Sequence, residues 1–179
     1  MGRPETGRKD QNVGMDAKLE AAYNAQITME YGSAYAYLAM GAWLEAEGLP
    51  GMALWMRLQS DEETEHALKF YQFVLDRGGR VELGAIDAPI ADFDRPLDVF
   101  RTSLEQEQAV TASINELYAL AVSSNDFASI PLLDWFVNEQ VEEEATVQQI
   151  IDDLERAGDA GHTLLMLDRE LGARQPDEE

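Results

Sequence analysis

The sequence predicts an all-α fold: a four-helix bundle with a long crossover between helices two and three, plus a short C-terminal fifth helix. Three observations carry this. Four long segments repeat apolar residues every three or four positions, and strand patterns are absent. Tight breakers join the first segment to the second and the third to the fourth, while a 16-residue stretch without helical period, 80–95, separates the pairs. A run of that length can extend to roughly 50 Å. Four helices of roughly 28 residues would each be about 42 Å long. The connection can therefore return the chain along the whole bundle and set helices two and three parallel.

The elements follow in order. The first helix runs from about Asp16 to Glu47 and stops at Gly48-Leu49-Pro50-Gly51. The second runs from about Met52 to Arg77 and stops at Gly78-Gly79. The third begins near Pro96, a suitable first-turn proline, and ends at Ser124-Asn125-Asp126. The fourth runs from about Phe127 to Ala157, with Pro131 in its first turns, and ends at Gly158. The fifth spans His162 to Leu171. Residues 1–15 read as a disordered leader, 16–172 as one domain, and 173–179 as a disordered tail.

Composition narrows the function. Thirty-five acids against 13 lysines and arginines give a formal net charge of -22, which repels nucleic acid and anionic membranes and attracts cations. There is no cysteine, so disulfides and thiolate metal sites are excluded, in keeping with a reducing cytoplasm. No apolar run is long enough to span a membrane, and the N-terminus carries no secretory h-region.

Each apolar stripe is interrupted once, near mid-helix. Glu30 breaks the first, between Ile27 and Ala34. Glu63 and His66 break the second, after Gln59 and before Phe70 and Phe73. Glu107 breaks the third, between Leu104 and Val110, and Gln140 with Glu143 breaks the fourth, between Val137 and Val147. In an antiparallel bundle these positions share one level. Any of them alone has an ordinary reading: a misjudged face, a packed histidine, a polar residue at the core edge. Four breaks at matching depth are a different matter. An isolated buried charge costs several kcal/mol, and like charges repel as well. Multivalent cations resolve both costs, and four carboxylates balance two divalent ions. Carboxylates with one imidazole suit Fe, Mn or Zn. Glu63 and His66, at i and i+3, point to one face and can grip one ion together.

Glu30, the run Glu63-Thr64-Glu65-His66, Glu107, and Asn138-Glu139-Gln140 with Glu142-Glu143 resemble the ferritin family, specifically its non-haem bacterial members, over residues 16–172. The resemblance implies a dinuclear ferroxidase centre. Glu30, Glu63 and His66 would hold one iron; Glu63, bridging, with Glu107 and Glu143 would hold the second. Gln140 would sit beside the pair, and Tyr37 matches a tyrosine near it. Glu62, Glu139 and Glu142, with Glu143 shared, match a third iron site. The family also implies a 24-subunit homo-oligomeric shell, Fe(II) with O2 or H2O2 as reactants, and mineral storage inside. No haem is expected, because Thr64 stands where bacterioferritins carry their haem-ligand methionine, and the fourth helix lacks a second Glu-x-x-His. The fifth helix departs from the small Dps cages. Ile130 and Leu133 stand where animal ferritins have channel acids, which puts that entry route in doubt. Two alternatives remain: an acidic bundle without catalysis, and a rubrerythrin-like di-iron peroxidase.

Overall fold

The computed structural model describes residues 15–158 and 160–174. The segments 1–14 and 175–179, where a leader and most of a tail were expected, lie outside the described residues. Five helices follow one another: α1 (Ala17–Ala46), α2 (Pro50–Asp76), α3 (Pro96–Ser123), α4 (Ile130–Ala157) and α5 (Gly161–Leu171). Among the described residues there is no strand, and no helix is long and apolar enough to cross a membrane.

Local chemistry explains the boundaries. Asp16 caps α1 by accepting from the Lys18 N–H at 2.9 Å. Gly48, with φ 78°, takes the left-handed conformation that ends the helix cheaply. α2 starts two residues earlier than the sequence suggests, with Pro50 in its first turn. Its N-cap Leu49 offers no side-chain acceptor; Asp168 of α5 supplies one instead, taking the Met52 N–H at 2.9 Å. Asn125 turns the chain after α3 with φ 55°, a conformation asparagine tolerates. α4 starts three residues later than expected, at Ile130, so that Pro131 falls in the first turn.

The crossover runs alongside α1 and in its direction. Asn24 donates to the Arg80 carbonyl at 2.9 Å and accepts from the Glu82 N–H at 2.8 Å. Further along, Thr28 accepts from Gly84 at 3.0 Å, and Trp43 meets Phe93 edge-on at 5.6 Å. The chain thus leaves α2 at the start of α1 and enters α3 beside the end of α1. α3 is therefore antiparallel to α1 and parallel to α2. Tyr37 opposite Ser103 and Gln26 opposite Ser113 fix the α1–α3 register. Thr111 opposite Glu144 and Tyr118 opposite Asp134 fix that of α3 and α4.

The interior is not one core but two. One apolar cluster holds Met40, Leu44, Met52, Trp55, Phe100 and Ile150. The other holds Leu19, Tyr23, Phe70, Ile114, Leu133 and Phe136. Buried polar residues of all four long helices lie between them, which is where the stripes break. Three expected core positions shift by one residue. Val74, Ser103 and Phe136 are buried, while Phe73, Leu104 and Val137 are only half-buried.

α5 packs on α2 and α4 and seals the cluster around Trp55 with Leu164, Leu167 and Leu171. Its approach needs Gly51, where an added Cβ would lie 1.8 Å from the Asp168 carbonyl oxygen. Ala173 and Arg174 continue the turn after α5, and Arg174 folds back onto α2.

Candidate metal centre

Glu30 sits in the middle of α1 with no exposure to solvent. One turn earlier Gln26 donates to its Oε1 at 2.8 Å, and Ser113 donates to the Gln26 oxygen at 2.5 Å. That fixes the amide, leaving Glu30 Oε2 without a donor. Glu63 on α2 is equally buried, and its Oε2 also has none. His66 lies one turn on, with Nδ1 3.7 Å from Glu63 Oε2. One ligand atom from each of Glu30, Glu63 and His66 falls within 4.8 Å of the others, the one such group of three among the described residues.

Glu107 of α3 and Glu143 of α4 complete the ring. Glu107 lies within hydrogen-bonding reach of Glu63. It accepts from the Tyr37 hydroxyl at 2.5 Å and from Gln140 Nε2 at 3.2 Å. The Tyr37 hydroxyl also meets Ser103 Oγ at 3.0 Å, and the small Ser103 side chain leaves room for that approach. Glu143 accepts from Gln59 Nε2 at 2.9 Å. The expected set Glu30, Tyr37, Glu63, His66, Glu107, Gln140 and Glu143 is therefore gathered in one buried layer.

The electrostatics are those of a site short of positive charge. Burial, then the charges of Glu107 and Glu30, pushes the Glu63 carboxyl well above its ordinary range. Burial lifts Glu30 to about 7, partly offset by the nearby Glu63 carboxyl and by the Gln26 donor. Glu143 rises to about 8 from burial and then from the charges of Glu107 and Glu62. Glu107 rises for the first of these reasons, held back by its Tyr37 and Gln140 donors. Burial and Lys69 lower His66 to about 4, so its imidazole is neutral at pH 7 and able to ligate. Trp135 and Phe136 flank that ring edge-on at 5.5 Å each.

The outer acids behave differently. Glu142 is exposed and Glu139 half-buried, and neither joins the close group of three. Glu62 faces a partner the sequence did not suggest: Arg174 Nη2 donates to both its oxygens at 2.8 Å. The same guanidinium donates through Nη1 to Gln59 Oε1 and lies 5.3 Å over the Trp55 ring. Gln26, Gln59, Ser103 and Arg174 are thus site residues to which sequence reasoning gave no role. Only Gln59 left a trace, as a polar residue within an apolar stripe.

The model of the ferritin-like domain matches residues 20–157. The bacterial non-heme ferritin of Staphylococcus aureus strain USA300 is 41% identical over 165 residues, 92% of this chain and 99% of that protein. The protein of the same name from Staphylococcus epidermidis strain RP62A shows the same identity and coverage. Among solved structures, the open-pore ferritin of the hyperthermophilic archaeon Archaeoglobus fulgidus superposes with a TM-score of 0.89 at 43% identity. That match covers 91% of this chain and 99% of that one. A humanized archaeal ferritin superposes at 0.90, with 41% identity, over 92% and 100% of the two chains. Family model, relatives and superposition agree with one another, and the chain belongs to the ferritin family.

Proposed function

We propose that this chain stores iron, and that it oxidises Fe(II) to Fe(III) at the layer between its two cores. The observation that carries the reading is the pair of buried, donorless oxygens, Glu30 Oε2 and Glu63 Oε2, set against a neutral buried imidazole. Such oxygens are costly unless a cation meets them. Glu30, Glu63 and His66 hold one Fe(II); Glu63, shared, holds the second with Glu107 and Glu143. Their anionic oxygens favour the higher charge of Fe(III). Each Fe(II) gives up one electron to O2 or H2O2. Gln140 and Tyr37 keep Glu107 oriented, Gln59 does the same for Glu143, and the apolar clusters on either side limit access by water. Glu62, Glu139 and Glu142, with Glu143, are the acids that the family resemblance matches to a third iron site. Storage needs an enclosed volume that one bundle lacks, and a closed 24-subunit shell supplies it.

The test is Glu63→Ala. Stopped-flow oxidation of Fe(II) should lose its fast phase, by roughly a hundredfold or more, since the shared ligand is gone. A variant as fast as wild type removes the site assignment. Native light scattering showing a monomer or dimer removes the shell. Electron microscopy after loading with Fe(II) and O2 should show hollow particles with dense centres.

A further inference from the structure

The guanidinium of Arg174 lies against an acidic site that otherwise asks for metal. It reaches α2 across more than a hundred residues of sequence, contacting Gln59 at a separation of 115 and Glu62 at 112. A guanidinium only donates. The Gln59 oxygen must therefore face Arg174, and the amide nitrogen must face Glu143, to which it donates at 2.9 Å. One cation thus fixes two carboxylates, Glu62 directly and Glu143 through an amide that is 1% exposed. The arginine is itself held in place. Its guanidinium carbon lies 5.3 Å over the Trp55 ring, and the α5 turn before it is anchored by Asp168 against Gly51 and Met52.

Resting on the dinuclear reading, we infer that Arg174 is a positioning residue: a tethered cation that withholds Glu62 from metal and, through Gln59, aims Glu143 at the centre. It occupies the place beside Glu62 and Glu143 where a further cation would otherwise be drawn. The number of ions retained on the Glu62 side of the site is then set by the chain itself, and a ferric ion moving to that side meets a positive charge rather than a third binding site.

The experiment is calorimetric titration of the assembled, metal-stripped full chain with Zn(II), a redox-inert probe. Arg174→Met keeps an unbranched side chain at this position and removes the charge. It should gain one tight Zn(II) site per subunit relative to wild type, bound roughly tenfold more tightly than wild-type protein binds its next ion, a difference of about 1.4 kcal/mol. Adding Glu62→Gln should abolish the gain. Arg174→Lys, which restores a positive charge, should keep the wild-type count. A structural role for the stem alone would leave Arg174→Met like wild type. Wild-type stoichiometry and affinities in Arg174→Met overturn the inference, and so does an extra site that survives Glu62→Gln. Glu63→Ala separates the two levels. If it loses tight Zn(II) binding while Arg174→Met is unchanged, only the role of Arg174 falls; if it binds like wild type, the dinuclear reading falls and takes this inference with it.

Discussion

A carboxylate oxygen buried without a donor is rare, and Glu30 and Glu63 present two in one layer. Their energetic effect runs opposite to that of most buried residues: without metal they weaken the fold. Glu63→Gln should therefore raise the stability of metal-stripped protein at pH 8 by ~1–3 kcal/mol, since it removes an ionisation penalty. The same variant should lose most of the stabilisation that divalent metal gives, as calorimetry with and without metal would show. Tyr37 works the other way. Its hydroxyl satisfies Glu107 at 2.5 Å, so Tyr37→Phe leaves a buried acceptor short of a donor and should cost ~1–3 kcal/mol in denaturant unfolding. The centre was legible at this scale because an acid in an apolar stripe stands out from its neighbours. Gln26 and Ser103 did not stand out. A glutamine four residues before an acid reads as an exposed helix pair, and Ser103 was hidden by Leu104 beside it, the residue periodicity assigns to the core.

Among the elements, α5 shows how one helix completes another. α2 begins with no cap of its own, and Asp168 provides the missing acceptor while its backbone closes on Gly51. Gly51→Ala places a Cβ where the Asp168 carbonyl oxygen stands, and the contact is with backbone, so a rotamer change cannot relieve it. We expect a loss of ~1–3 kcal/mol from overpacking, or displacement of α5. Trypsin should then cut after Arg169 or Arg174 faster than in wild type, and unchanged cutting with an unchanged melting temperature would refute the close approach. The helices themselves were legible from periodicity and from glycine, proline and asparagine at their ends. Their starts were not, for α2 and α4. The cap of α2 comes from a residue more than a hundred positions away, and the start of α4 is set by where Pro131 can sit in a first turn. Arg174 escaped notice for the same reason: its partners exist only after α5 has docked.

At the level of the whole molecule, length and pattern specified the topology, because a 16-residue connection without helical period has few places to go except back along the bundle. The net charge of -22 was far less informative. It says that cations are attracted but not where, and the acids that matter are the few withdrawn from water. Those few tie stability to pH. Glu30 and Glu143 have folded-state values of about 7 and about 8, above the ordinary carboxylate value of 4.5. Their protonated forms favour the fold, so this contribution is complete below pH 4.5 and is lost as pH rises through 7 and 8. Metal-stripped protein should accordingly melt lower at pH 8.5 than at pH 5.5, by roughly 5 °C or more for a chain of this size. On the proposed dinuclear reading divalent metal would replace those protons, and its binding would release them. Titrations of Zn(II) at pH 6.5 in two buffers of different ionisation heat should give different apparent enthalpies, and the difference should shrink at pH 8.5, where fewer protons remain to be displaced. Equal enthalpies in both buffers at pH 6.5 would mean that the carboxyls of the layer are already ionised before metal arrives, and the account of why this bundle divides its core around a polar layer would lose its energetic basis.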